Sequence, residues 1–202
     1  MQSEQKHHLL RLLTLAVSPF LALTVMARRW YTSSLSTRYF FAAADYPPFL
    51  ARGDAAVFCL YHARRFCRGK GVDVGAGKSP FPGARVIEDR PDENAYHIDE
   101  KDQSLDYVFS SHCLEHLFRW QEALAEWHRV LKPEGILYLY LPHPACQMWR
   151  VEILSHHVWQ PEPDSLATYL ESIGFEIVES SVFPDVYLSF YVVAKRVIAK
   201  SA

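Results

Sequence analysis

The run Val72-Asp73-Val74-Gly75-Ala76-Gly77 has the make-up of a strand that ends in a ligand-holding turn. Two glycines with one residue between them let the backbone turn sharply, and without a Cβ a ligand can approach the main chain closely. In an open α/β sheet, ligands bind at the loops that follow the carboxyl ends of the strands. The GxxxxGK[ST] spacing of a phosphate loop is absent. Glu88 or Asp89 closes the next expected strand, where a carboxylate can accept two charge-assisted hydrogen bonds from a ribose diol. Asp99 follows a third short strand and could accept from the exocyclic amine of a base. Glu100 and Asp102 stand beside it, so a plain acidic loop is the competing account.

Histidine is the side chain suited to take a proton near neutral pH. His112 and His116 follow the fourth expected strand, His143 follows the fifth, and His156 and His157 lie in the stretch after that. His143, in Leu141-Pro142-His143-Pro144, is the leading candidate base, with His112 second, because strand ends on the binding face carry function in such sheets. His112-x-x-Glu115-His116 also spells the inverted zinc-protease pattern, in which two histidines four apart on a helix share a metal. The cysteines at 59, 67, 113 and 146 contain no CxxC pair and read as reduced thiols. No metal is expected on this reading.

These residues need a scaffold. Strands are expected at 72–74, 85–89, 95–98, 105–110, 136–141, 175–178 and 187–197, from short apolar runs bounded by turn residues. Helices are expected from an Asp54 cap to about Cys67, from Arg119 to Leu131, and from Pro163 to Ile173 before Gly174. The helix 119–131 shows an apolar face of Trp120, Ala123, Leu124, Trp127 and Val130 or Leu131. Pro133-Glu134-Gly135 is expected to break the chain before the fifth strand. Alternating strands and helices argue for a mainly parallel sheet with helices on both faces. The last two strands have no helix between them, so the final one should be antiparallel.

Three blocks together, VDVGAG, LDYVFSSHCLEHL and HRVLKPEGILYLYLP, strongly resemble the class I S-adenosylmethionine-dependent methyltransferases of the broad type 11 group, in order and spacing. The resemblance covers residues 70–142 well and is looser towards the C-terminus. It implies a Rossmann-like, seven-stranded, mostly parallel sheet of order 3-2-1-4-5-7-6, with S-adenosylmethionine as cofactor. Asp73, Gly75, Ala76 and Gly77 would hold the methionine end, Glu88 or Asp89 the ribose, and Asp99 would face the adenine. Ser110 and Ser111 would lie beneath the sulfonium, with His112 beside them. The same letters absorb the HxxEH pattern, which sets the metal reading aside. One departure is plain: the family's helix after the glycine turn is replaced by Lys78-Ser79-Pro80-Phe81-Pro82-Gly83, which cannot form it. The first crossover must be a compact turn, leaving the cofactor site more open on that side.

The 202 residues fit one methyltransferase domain over 46–202, preceded by a basic, apolar segment over 1–45. Residues 1–44 set five cations against Glu4, giving +4, so with a net charge of -2 the remainder is -6. There is no global basic field for a nucleic acid. Leu12–Ala27 is uncharged but holds Pro19 and is short for a bilayer, which needs about 20 apolar residues. A packed helix, a peripheral membrane anchor and a removable targeting segment stay open for it. The expected location is cytoplasmic, with membrane association as the alternative. The absence of an Asn/Asp-Pro-Pro-Tyr motif points away from amide or adenine methylation. A small-molecule or lipid- or sugar-linked acceptor is expected, Trp149 and Trp159 either lining its pocket or packing the stretch 143–163. The alternative is a non-catalytic binding module or partner subunit that keeps the fold.

Overall fold

The structure, a computed structural model, describes residues 55–146, 149, 151, 156–185 and 188–197. The expected N-terminal segment and the Asp54 cap lie outside the described residues.

The stretch Leu137-Tyr138-Leu139-Tyr140-Leu141 shows how the sequence builds the core. Side chains alternate across a strand, so the leucines enter one apolar cluster and the tyrosines the other. They belong to the central strand β4 (Leu131–Pro142). With β1 (Gly71–Val74), β2 (Arg85–Ile87), β3 (Leu105–Ser111), β5 (Phe175–Ser180) and β6 (Ser189–Arg196) it forms a sheet of order β2-β1-β3-β4-β6-β5. The first four strands are parallel, and β6 runs antiparallel to both β4 and β5. The expected antiparallel last strand is therefore formed.

Each face is covered by helix. On the leucine side, α2 (Trp120–Val130) buries Ala123, Leu124, Trp127 and Val130, the spacing of one helical face. Beside it α3 (Pro163–Ser172) starts with proline in its first turn, where no amide partner is lost, and buries Leu166 and Leu170. On the tyrosine side, α1 (Ala56–Ala63) presents Ala56, Cys59 and Ala63, small residues that let it lie close to the aromatic layer.

Two expectations are corrected. Residues 95–98 form no strand; the chain there closes a tight loop through an isolated Asn94–His97 bridge, and Tyr96 N–H donates to Asn94 Oδ1 at 2.9 Å. Local side-chain bonding has displaced the ladder. Six strands, not seven, are present among the described residues, and β2 is the edge. Second, β4 does not begin after Pro133-Glu134-Gly135 but runs through it, Leu131 pairing with Leu105 across a register irregularity. Glu134 absorbs the distortion at φ +67°.

The first crossover is the compact turn expected. No helix joins β1 to β2 among the described residues. One side chain takes its place: Phe81, 3 % exposed, lies against Phe109 (4.7 Å between ring centres) and Tyr107 (5.6 Å) on the tyrosine face.

Candidate cofactor and methyl-transfer site

The carboxyl ends of β1, β2 and β3 lie side by side. Val74 pairs with Ile87 and with Ser110, and Gly75 N–H donates to Ile87 O at 3.0 Å. This puts the glycine turn beside Glu88 and Asp89, the residues that follow β2. Gly75 and Gly77 both have positive φ, +76° and +56°. Packing gives a further reason for glycine at 75. A Cβ there would meet Cys113 Cβ and Sγ at 2.5 Å, so the missing side chain makes room for a cysteine of the neighbouring turn. Gly75 and Gly77 are both exposed.

Asp73 alternates away from Val72 and Val74 and is fully buried. Its Oδ2 accepts from Phe81 N–H at 2.7 Å, which fastens the short crossover, while Oδ1 has no partner. Burial pushes this carboxyl up to about 7, against the lowering effect of the Phe81 amide. Sequence reasoning missed both Phe81 and Cys113. The signal for Phe81 was present: a lone aromatic between two prolines in a segment that had to be short.

Glu88 is exposed and, among the described residues, pairs with Arg90 at 3.2 Å, an exposed pair that a ligand can replace. Asp99 is also exposed. Its amide donates to Glu93 Oε1 at 3.1 Å and its carbonyl accepts from Arg85 at 3.4 Å. Arg129 secures the loop around Asp99 by donating to the carbonyls of Ile98 and Glu100 and pairing with Glu126 and Asp102.

At the end of β3, Ser110 donates to Val74 O at 3.0 Å, and the buried Ser111 hydroxyl has no partner. His112 adopts φ +50°, a strained conformation for a residue with a Cβ. Its Nε2 contacts Ser189 Oγ at 3.0 Å, its Nδ1 lies 3.5 Å from Glu115 Oε1, and its ring meets Trp149 edge-on at 4.9 Å. Burial first, then the neighbouring His157 and His116, push its pKa down to about 3, so the ring is neutral. Residues Leu114–His116 form a 3-10 turn, not an α-helix. His112 and His116 therefore do not share a helical face, and the helical metal pair of the HxxEH pattern is not formed.

His143 is largely buried, with Nε2 donating to Val182 O at 2.9 Å and Nδ1 accepting from Ala145 N–H at 3.0 Å. Both ring nitrogens thus serve the backbone, and a base at this position must surrender one of them. Trp149 and Trp159 pack inward. Trp149 is 3 % exposed, and Trp159 stacks on Trp120 at 4.4 Å and donates to Leu114 O at 2.8 Å.

S-Adenosylmethionine is a cation with a diol and an ammonium group. The turn offers it an exposed positive-φ glycine, a strand-end carboxylate held only by a surface arginine, and two buried oxygens without partners, Asp73 Oδ1 and Ser111 Oγ. That donor set fits.

A family described as a methyltransferase domain matches residues 52–139. No curated protein matches the chain. Among solved structures, the complex of the Haloferax volcanii Trm112 methyltransferase activator with a methyltransferase is similar over 77 % of this chain and 94 % of its own, at 14 % identity and a TM-score of 0.60. A Thermotoga maritima S-adenosylmethionine-dependent methyltransferase, described as a possible histamine N-methyltransferase, covers 74 % and 92 % at 16 % identity and a TM-score of 0.53. A third, from Mesorhizobium loti, covers 71 % and 99 % at 13 % identity and a TM-score of 0.50. At such identities the structures speak for the fold. The family match runs from before α1 into β4, and so takes in the glycine turn, the strand-end acids and the serine-histidine turn in one span. Residues 52–139 thus match a methyltransferase domain family whose cofactor is S-adenosylmethionine, and the solved structures share the fold.

Proposed function

We propose that the chain transfers a methyl group to a small-molecule or lipid- or sugar-linked acceptor, held between the β3–β4 strand ends and the stretch after β4. The cofactor supplies the electrophilic methyl. What the protein supplies is position. Gly77 and Ala76 lie along the methionine portion, Asp73 Oδ1 accepts from its ammonium, Glu88 or Asp89 takes the ribose diol, and Asp99 the adenine amine. Ser110 holds the β1 and β3 ends together, and Ser111 and His112 face the sulfonium. A neutral His112 suits that place because an imidazolium would repel the cation. With its pKa held down to about 3, His112 lines the cation as a neutral group and takes no proton from the acceptor. His143, committed to Val182 and Ala145, is a positioning residue on this reading.

The observation that carries the proposal is the set of unpartnered buried oxygens at the strand ends, since native proteins leave few such groups without a reason. The net charge of -2 supports an acceptor other than nucleic acid. Among the described residues no helix is long and apolar enough to cross a membrane; a peripheral role for residues 1–45 is proposed from their charge alone.

Calorimetry with S-adenosylhomocysteine is expected to give micromolar binding, and Glu88→Ala to weaken it. No heat with either form of the cofactor would defeat the proposal. A second reading has one observation in its favour: the Haloferax methyltransferase is seen with an activator. If cofactor binds only after a partner chain is added, that reading replaces the first.

A further inference from the structure

The fold brings together three histidines that the sequence keeps apart. His116, on the 3-10 turn after β3, and the adjacent His156 and His157 each offer a ring nitrogen, and these three atoms lie within 4.8 Å of one another. The rings pack in pairs, with centres 4.8 to 5.4 Å apart.

Two hydrogen bonds decide which nitrogens are on offer. His116 Nδ1 contacts His156 O at 2.9 Å, and His157 Nδ1 contacts Trp149 O at 2.9 Å. A carbonyl can only accept, so in both rings Nδ1 carries the proton and Nε2 keeps its lone pair. Metal-bound histidines are held in this way, the remote N–H donating to a carbonyl that fixes tautomer and ring orientation. A second observation points to a cation. The Glu115 carboxylate is fully buried, neither oxygen has a hydrogen-bond partner, and Oε1 lies 3.7 Å from His116 Nε2. A buried carboxylate without partners is costly unless a charge faces it.

The backbone around the cluster is already tied down. Val158 N–H donates to Glu115 O at 3.0 Å, and Trp159 to Leu114 O. We propose that Nε2 of His116 and His157 and a ring nitrogen of His156 bind one divalent zinc-class cation, with the Glu115 carboxylate beside His116 as the facing charge, and that the ion staples the segment after β4 onto the turn after β3. Imidazole and carboxylate are the ligands such ions take. Tetrahedral zinc holds its ligand atoms about 3.3 Å apart, given bonds of about 2.0–2.1 Å. The cluster must contract slightly, and the exposed His156 is the ring free to move.

The test uses the full chain without a polyhistidine tag. His7 and His8 near the start can also take zinc, so the measurement is a difference between variants. After dialysis against zinc and then against a weak chelator, the wild type is expected to retain one more zinc per chain than His156→Ala. His116→Ala should behave alike, with affinity at least about tenfold weaker. Zinc should raise the wild-type melting temperature and EDTA should reverse it. Cobalt(II) should give the visible bands of a four-coordinate site in the wild type but not in His156→Ala. Because His156 is exposed, that variant should fold and still bind S-adenosylhomocysteine. Equal zinc in wild type and His156→Ala, or no metal-dependent thermal shift, overturns the proposal whether or not the cofactor binds.

Discussion

The two ends of the parallel strands are built on opposite terms. At the amino end, acids are paired. Asp106 accepts from Lys132 at 2.6 Å and from Lys70 N–H at 2.7 Å, Lys70 reaches Glu100 at 2.7 Å, and Lys195 bridges Glu134 and Glu176 at 3.1 Å each. An open depression of about 530 Å³ between Arg68, Asp106, Lys132 and Glu134 sits among these pairs. At the carboxyl end, Asp73 Oδ1, Ser111 Oγ and both Glu115 carboxylate oxygens are buried and partnerless, and His112 is strained. The hollow at the amino end is therefore not the better site. What marks a binding end is polar groups held away from water without satisfaction, because a ligand can complete them.

The comparison can be broken at several points. Phe81→Ala should cost most, about 3–5 kcal/mol by denaturant unfolding, since the ring fills the place of an absent helix. Gly75→Ala should cost about 3 kcal/mol, because the new Cβ meets Cys113 and the positive φ is unfavourable. Adding Cys113→Gly, which removes both contacting atoms, should return part of that loss, and failure to do so would refute the contact as its cause.

Glu88→Ala should leave the melting temperature unchanged but weaken S-adenosylhomocysteine binding about tenfold, or about 1.4 kcal/mol. Equal binding would move the ribose contact to Asp89. Asp73 sharpens the contrast by pH. Its folded pKa, about 7, lies above the ordinary carboxylate value, so the native state binds the extra proton. Its contribution is greatest near pH 4 and is lost as pH rises to about 7. Thermal melts should show that decline in the wild type and a shallower one in Asp73→Asn. Smallest is Lys132→Ala, a half-exposed pair that should cost under about 1 kcal/mol, less in high salt, with cofactor binding unaltered.

Much of this was legible. The apolar run 136–141 named a strand, the 3.6-residue face of α2 named its buried residues, and the missing crossover helix followed from two prolines and a glycine. The third strand was not legible, because Asn94 closes its own turn with a side-chain bond that competes with any ladder. Nor was the continuation of β4 through Pro133, where pairing with β3 overrode the turn residues.

By itself the sequence pointed to the family, the glycine turn and the candidate acids, since these are written in residue types a few positions apart. Only the tertiary structure decided that Gly75 serves Cys113, that Asp73 fastens Phe81, and that His116 meets His156 and His157. The physical reason is separation along the chain. Local preference sets the backbone of a short segment, but which side chains meet across tens of residues depends on how the sheet and its loops pack.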